Sequence, residues 1–288
     1  MVEASVERGM IKFDGKHWIG KRVVKGPLKA DYTNVARQAQ KNLGYGGIVA
    51  VPNARPDEYR FEEFMTKGEE SGIRYENDEK KFFYDLTNKI YFIKAQEVKI
   101  KIDGAPVVVL AYNLPFGINL NEKNGNKTLE EATKYNCILG LNIPSCFDEV
   151  DNHWLSLLPS MGNFDFVVGY AGGAALKGFG SANFMAHKIY DEDIKNKEFD
   201  NPYTKEKHKI GIIAVSGGHR TPNGLLETML NRGQTIGSSY TKIQEPNPNN
   251  FMNDLRQSLR NSTEENMHCG PIIIEAVKSW SSIKFGER

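Results

Sequence analysis

The residues best suited to chemistry sit where apolar runs stop. Ile210-Gly-Ile-Ile-Ala-Val215 reads as a buried strand that ends in the polar turn Ser216-Gly-Gly-His219-Arg220, whose small residues let a ligand approach the backbone. Glu97 lies in the alternating run from Ile90 to Ile100, and Glu97 with His219 would supply one carboxylate and one imidazole, the minimum for general base and general acid catalysis. Three further run ends carry polar groups: Asp14-Gly15-Lys16-His17-Trp18, Pro52-Asn53-Ala54-Arg55 and Asn142-Ile143-Pro144-Ser145-Cys146. The cations Lys16, Arg55 and Arg220 suit phosphoryl oxygens, while His17, Asn53 and Asn142 suit hydrogen bonds to a ligand. Cys146 follows an apolar run and has a nucleophilic reading, but a lone cysteine is more often an ordinary half-buried residue. Glu97 as a solvent-facing strand residue and His219 as a turn cap are the structural alternatives.

These side chains can cooperate only if the strands carrying them end together. Met10-Ile-Lys-Phe13 reads as the first strand and Gly20 to Ala30 as a loop. Asp31 looks like a helix cap before Val35, Ala36, Ala39 and Leu43 at helical spacing, with Gly44 closing the turn and Gly47 to Val51 forming a buried strand. Arg60 to Ser71 and Asp78 to Lys89 read as helices, the second with Phe82, Phe83 and Leu86 on one side. The strand from Ile90 to Ile100 turns at Asp103-Gly104 into Ala105 to Tyr112, a hairpin. Thr128 opens a helix with a capping-box pattern, and Cys137 to Ile143 is the next strand. Trp154 to Met161 reads as a helix, Phe164 to Tyr170 as a strand, and Ser181 to Lys195 as a helix with Phe184, His187 and Ile194 facing inward. After Val215 come a short helix from Gly224 to Arg232, a strand-like run from Ser238 to Ile243, a helix from Asn250 to Asn261 and an apolar segment from Pro271 to Val277. About six or seven strands, most followed by helices and without a midpoint boundary, predict one α/β domain over residues 1–288, a parallel barrel or wound sheet. Ligands of such folds bind at the carboxyl ends of the strands, where all the residues named above fall.

Composition narrows the function classes. Lys plus Arg is 37 against Asp plus Glu at 36, so the formal net charge of +1 gives no global attraction to nucleic acid or an anionic membrane. No apolar run reaches the ~18–20 residues of a membrane span, and the first residues lack the apolar stretch of a signal peptide, so a cytoplasmic protein is expected. The three cysteines, Cys137, Cys146 and Cys269, are odd in number and without a C-x-x-C pair, which argues against a disulfide framework or a structural zinc. Paired glycines at Gly172-Gly173 and at Gly178 and Gly180 read as loop punctuation, because no Gly-x-Gly-x-x-Gly helix entry follows a strand.

The order of segments resembles the polymerase-and-histidinol-phosphatase (PHP) family of phosphoesterases from about Ile11 to Arg260. IGIIAVSGGHRTPNGL with IGSSYTKI is similar to that family's closing strand and turn, IKAQEVKI to its glutamate-bearing strand, FDFVVGYAGG to its next carboxylate segment, and NFMNDLRQSLRN to its terminal helix. The resemblance implies a distorted (β/α)7 TIM-like barrel whose strand ends hold up to three metal ions that activate water. Carried over by position, Glu97 and His219 keep the family's residues, whereas Lys16, Trp18, Asn53, Ile143, Val168 and Gly217 stand where metal ligands are expected. Two protein ligands are too few for such a cluster, since catalytic zinc commonly uses three. The expectation is therefore a divergent relative with no cofactor, or at most a single divalent ion such as zinc or manganese. It would bind a small phosphorylated or nucleotide-like ligand, or a protein partner, through Lys16, His17, Asn53, Arg55, Asn142 and Arg220 beside Glu97 and His219; nucleic acid is not expected as a partner. The alternative is a hydrolase with a reduced metal site.

Overall fold

The computed structural model describes residues 2–3, 10–12, 23–25, 32–53, 69, 73–75, 82–115, 118–120, 125–146, 153–171, 181–215 and 239–269. In chain order the strands are β1 (Val2–Glu3), β2 (Met10–Lys12), β3 (Val23–Lys25), β4 (Ile48–Asn53), β5 (Ile73–Tyr75), β6 (Phe82–Asp85), β7 (Ile90–Ile102), β8 (Ala105–Tyr112), β9 (Ile138–Leu141), β10 (Phe166–Ala171), β11 (Glu198–Asp200), β12 (Lys207–Lys209), β13 (Gly211–Val215), β14 (Tyr240–Thr241) and β15 (Met267–His268). The helices that matter here are α1 (Tyr32–Leu43), α2 (Gly125–Lys134), α3 (Ser181–Ile189) and α4 (Phe251–Arg260).

One large sheet runs β1-β4-β7-β8-β9-β10-β13, with β5 and β6 attached beside β7. Along that order neighbours are parallel except around β8, which is antiparallel to both β7 and β9, and the attached β6 is antiparallel to β7 and to β5. The expected hairpin at Asp103-Gly104 thus puts β8 between β7 and β9. The sheet curls into half a barrel around an inner core of Ile48, Ala50, Ile93, Ala95, Leu110, Tyr112, Phe166, Val168, Ile213 and Val215. Phe251, Leu255 and Leu259, one stripe of α4 at four-residue spacing, belong to the same core. Salt bridges from α4 to Asp165, just before β10, and to Glu206, just before β12, put that helix at the amino ends of the strands. The outer face carries α1, whose Tyr32, Val35, Ala36 and Ala39 pack on Val49, Val51 and Phe92. At the end of α1, Gly44 takes a positive φ of 77°, as the sequence expected of the residue closing that helix.

Beyond β13 the sheet changes character. Gly211 donates to Asp165 O on the β10 side, while residues of the other parity face away from β10. On that far edge Ile212 N donates to Ser262 O at 3.1 Å, and Ala214 N donates to Thr241 Oγ1 at 2.8 Å. The same hydroxyl donates to Ala214 O at 3.2 Å, so a side chain supplies what a strand would otherwise supply. β1 comes within 8 Å of β13 between Cα atoms, but these groups of the β13 edge are already satisfied.

Several sequence expectations change. The helix expected from Asp78 to Lys89 is strand β6 and a turn: Phe82 and Phe83 are buried on opposite faces, which mimics one helical face in the sequence. Asp85 ends that strand, its Oδ1 accepting from Thr87 N at 2.8 Å and Asn88 N at 2.7 Å, a turn that competes with helix. Met10–Lys12 belongs to a small antiparallel sheet with β3, which lies inside the expected loop, and β1 is the strand beside β4. The helix expected at Thr128 starts at Gly125, where a Cβ would lie 1.9 Å from Lys101 O, and Thr128 is buried inside it. Residues 153–157 are α-helical but Leu158–Asn163 tighten into a 3₁₀ turn. Helix α3 ends at Ile189 and continues as a π-turn from Tyr190 to Ile194. Phe184 is 70% exposed rather than inward, because Ala182 and Ala186 take the inner positions and bring α3 close to the sheet. The stretches 60–68 and 224–232 expected as helices, and the apolar segment 271–277, lie outside the described residues.

Candidate functional site

Strand β7 decides which candidates can share a site. Its Ile90 and Phe92 pack under α1, and its Ile93 and Ala95 line the inner core, so odd positions face inward along this strand. Glu97 is the next odd position and lies half-buried on the inner side, two residues beyond Ala95. Across the hairpin it pairs with Leu110, which pairs in turn with Gly140 of β9. A Cβ on Gly140 would lie 2.0 Å from the Phe166 ring, so the missing side chain there makes room for an aromatic.

Asn142 follows β9 by one residue and continues its ladder, its N–H donating to Val108 O at 2.9 Å. Alternation puts it on the same face as Gly140 and Glu97, one inward step further along, and it is buried. Asn53 closes β4 and pairs with Gln96, while Pro52 pairs with Ala95. Glu97 and Asn142 are thus brought to one face near strand carboxyl ends. Lys16, His17, Arg55, His219 and Arg220 lie outside the described residues.

The backbone leaving those strand ends is held by polar side chains that no motif in the sequence singles out. Asn183 of α3 accepts from Ala171 N at 3.1 Å and donates to Ala171 O at 3.4 Å, closing β10 where the Gly172-Gly173 segment begins. On the outer face of β7, Gln96 accepts from Leu120 N at 2.7 Å and donates to Leu120 O at 3.1 Å, while Lys94 Nζ donates to Pro115 O at 2.9 Å. The Gln96 amide is consumed by the 118–120 segment. For Asn183 the only sequence signal is a polar residue between two inward alanines of a helix.

At the opposite end of the strands, Asp165 Oδ1 accepts from Arg260 Nε at 2.7 Å and Oδ2 from Leu139 N at 2.9 Å. Arg260 also donates to Glu206 at 2.6 Å, a hydrogen bond that holds the Glu206 carboxyl below its ordinary range. Burial works to lower the Arg260 pKa, but Glu206 and Asp165 outweigh it and the guanidinium is pushed up. The charges at this end fasten α4 to the sheet.

The described strand ends bring together one carboxylate, Glu97, and one carboxamide, Asn142. Among the described residues no group of three or more His, Cys, Asp or Glu side chains is placed to hold a metal ion. Those two residues do not by themselves fit the multinuclear centre that the family resemblance implies. The arrangement can accept hydrogen bonds at the carboxylate and both donate and accept at the amide.

No helix of the described residues is long and apolar enough to cross a membrane. No protein-family model and no curated protein matches the chain. Among solved structures, the novel lesion-specific endonuclease PfuEndoQ from Pyrococcus furiosus is similar with a TM-score of 0.45 and 12% identity. The match covers 90% of this chain and 56% of that one, so the chain spans little more than half the length of that protein.

Proposed function

We propose that the chain is a binding protein on a PHP-like scaffold, whose strand-end pocket takes a small phosphorylated or nucleotide-like ligand in place of running metal-cluster hydrolysis. The observation that carries this reading is the placement of Glu97 and Asn142 on one inner face, level with the carboxyl ends of β4 and β9. In this reading Glu97 and Asn142 meet the hydrogen-bonding end of the ligand, and Lys16, His17, Arg55, His219 and Arg220 surround its phosphoryl end; Asn53, paired with Gln96 at the outward parity of Val49 and Val51, is not part of it. A carboxylate beside phosphoryl oxygens is repulsive unless cations intervene, which is the part assigned to Lys16, Arg55 and Arg220.

The test is isothermal calorimetry on the purified chain with AMP, GMP, UMP and ribose 5-phosphate, each with and without a chelator. Chelator-independent binding that weakens at least tenfold in both Glu97→Gln and Arg220→Ala supports the reading. Binding or phosphate release that requires added manganese or zinc would replace it with the reduced-metal hydrolase. Binding by none of the four probes, with a protein partner held through the same residues, would move the site to the partner reading.

A further inference from the structure

The inner-facing row of β7 does not end at Glu97. Lys99 and Lys101 continue it at the same two-residue spacing, both exposed, while Val98, Ile100 and Ile102 on the other face are buried and α2 packs along that hairpin. Strand β9 pairs with β8 from Val109 to Tyr112 and the Asn142 N–H reaches Val108 O, so the Lys101 end of the hairpin extends past that ladder. The residues across from them are Val108 and Pro106, which carry no charge.

Several other described lysines sit opposite acids, while Lys94 and Lys205 donate to backbone carbonyls. Lys134 pairs with Glu130 at 2.8 Å, Lys195 with Asp191 at 2.8 Å and Lys197 with Asp193 at 3.6 Å. Lys209 and Lys207 of β12 stand across from Glu198 and Asp200 of β11. Among the described residues Lys99 and Lys101 make no such pair, and Asp103, at the hairpin turn, accepts a hydrogen bond from Ser160 Oγ at 2.9 Å. The two lysines leave the strand ~6.8 Å apart, the rise of two strand residues, so an anion lying over both relieves the repulsion between their ammonium groups.

We propose that this face of the β7–β8 hairpin docks the phosphodiester backbone of a single-stranded nucleic acid. The lysine spacing of ~6.8 Å equals two ~3.4 Å rises per phosphate along a stacked strand, and approaches one nucleotide of an extended strand. Every nucleotide carries a charge, so such a strand meets both lysines in any register. An anionic membrane is disfavoured, because surface recognition there takes clusters of roughly four to eight basic residues. A near-neutral net charge averages over the whole surface and does not bear on two lysines held side by side. The inference is independent of what fills the strand-end pocket, and Glu97 marks where the basic row stops.

The experiment is fluorescence anisotropy of a labelled oligothymidine of about 20 nucleotides with the full chain, titrated from 50 to 200 mM salt. Each neutralised phosphate of a single strand adds ~0.7 to the slope of log affinity against log salt, so two contribute about 1.4. The affinity gap between the wild type and Lys99→Gln/Lys101→Gln should therefore shrink about sevenfold over that fourfold salt range. Lys134→Gln, which removes a paired lysine, should leave affinity and slope as in the wild type. No binding by the wild type at 50 mM salt, or binding with the same slope in the double variant, overturns the proposal. Lysine-dependent binding to vesicles rich in anionic lipid, without binding to the oligonucleotide, overturns it in favour of a membrane surface. Both lysines are exposed, and a thermal melt of the double variant matching the wild type shows that lost binding is not lost fold.

Discussion

Exchanging Gln96 for Glu tests the assignment of the two faces of β7. The Gln96 amide is buried and meets both backbone groups of Leu120, with Oε1 accepting the N–H and Nε2 donating to the carbonyl. A carboxylate there could accept from the N–H, but its second oxygen would face the Leu120 carbonyl, acceptor against acceptor. The way to keep both bonds is to take up a proton and donate it, which costs about 1.36 kcal/mol for each unit by which the pH exceeds the unfolded glutamate pKa near 4.3. At pH 7 that is about 3.7 kcal/mol, and near pH 4 it falls toward zero. The sign follows from the raised pKa in the folded state: stability is intact below the unfolded value and is lost as pH rises through the folded one. Urea unfolding of Gln96→Glu and of the wild type, compared at each of several pH values between 4 and 7.5, should show the difference growing by about 1.4 kcal/mol per pH unit. Glu97→Gln, half-exposed on the other face, should change stability by no more than about 0.5 kcal/mol at neutral pH. A Gln96→Glu cost that is flat with pH, or as small as that of Glu97→Gln, would refute the two-face assignment.

Arg260→Met should cost about 3 kcal/mol, the low end for breaking a buried pair because Arg256 Nε remains 3.5 Å from Asp165; Glu206→Gln, with the Glu206 side chain 48% exposed, should cost under about 1 kcal/mol, both read from urea midpoints. Gly140→Ala should lower stability by about 1–3 kcal/mol, since its Cβ would force the Phe166 ring out of the inner core. Asn183→Ala should leave the Ala171 amide and carbonyl buried without their partner, costing about 1–3 kcal/mol and speeding hydrogen exchange at Ala171. Tyr32 is buried with its hydroxyl donating to Asp85 at 2.6 Å, and burial first, then Asp85, push its pKa far up. Its raised folded value means stability held below about pH 10 and falling above it, so an absorbance titration should show Tyr32 ionising only with unfolding, a feature that Tyr32→Phe removes.

What the sequence made legible follows from period and punctuation. The strands at β4, β7, β9, β10 and β13 and the turn at Asp103-Gly104 could be read because alternation or a short apolar run met a clear stop. Strand β6 could not, because Phe82 and Phe83 are buried on opposite faces and adjacent apolar residues carry no period-two signal. Strands of two or three residues such as β1, β3 and β14 fall below any periodicity. The satisfied edge of β13 depends on Thr241 and Ser262, 27 and 50 positions beyond their partners in the chain, and no local pattern ties a threonine to a distant strand edge.

The same limit explains why polar strand residues are poor guides to a site until their face is known. Lys94, Gln96 and Glu97 look alike in the sequence, as polar residues near the end of one strand. Lys94 and Gln96 face outward yet are more deeply buried than Glu97, because the chain after β8 folds back over them and brings its carbonyls within reach. Burial and inward direction are therefore separate on this strand. The polar groups under the returning segment are committed to holding backbone, whereas the half-buried carboxylate on the inner face lies beyond the core row of Ile93 and Ala95. Of the three, Glu97 alone continues the inner row toward the strand end, and the row continues past it into the exposed Lys99 and Lys101. A single alternation thus separates three stretches of one face of β7: core at Ala95, a half-buried carboxylate at Glu97, and exposed cations at Lys99 and Lys101.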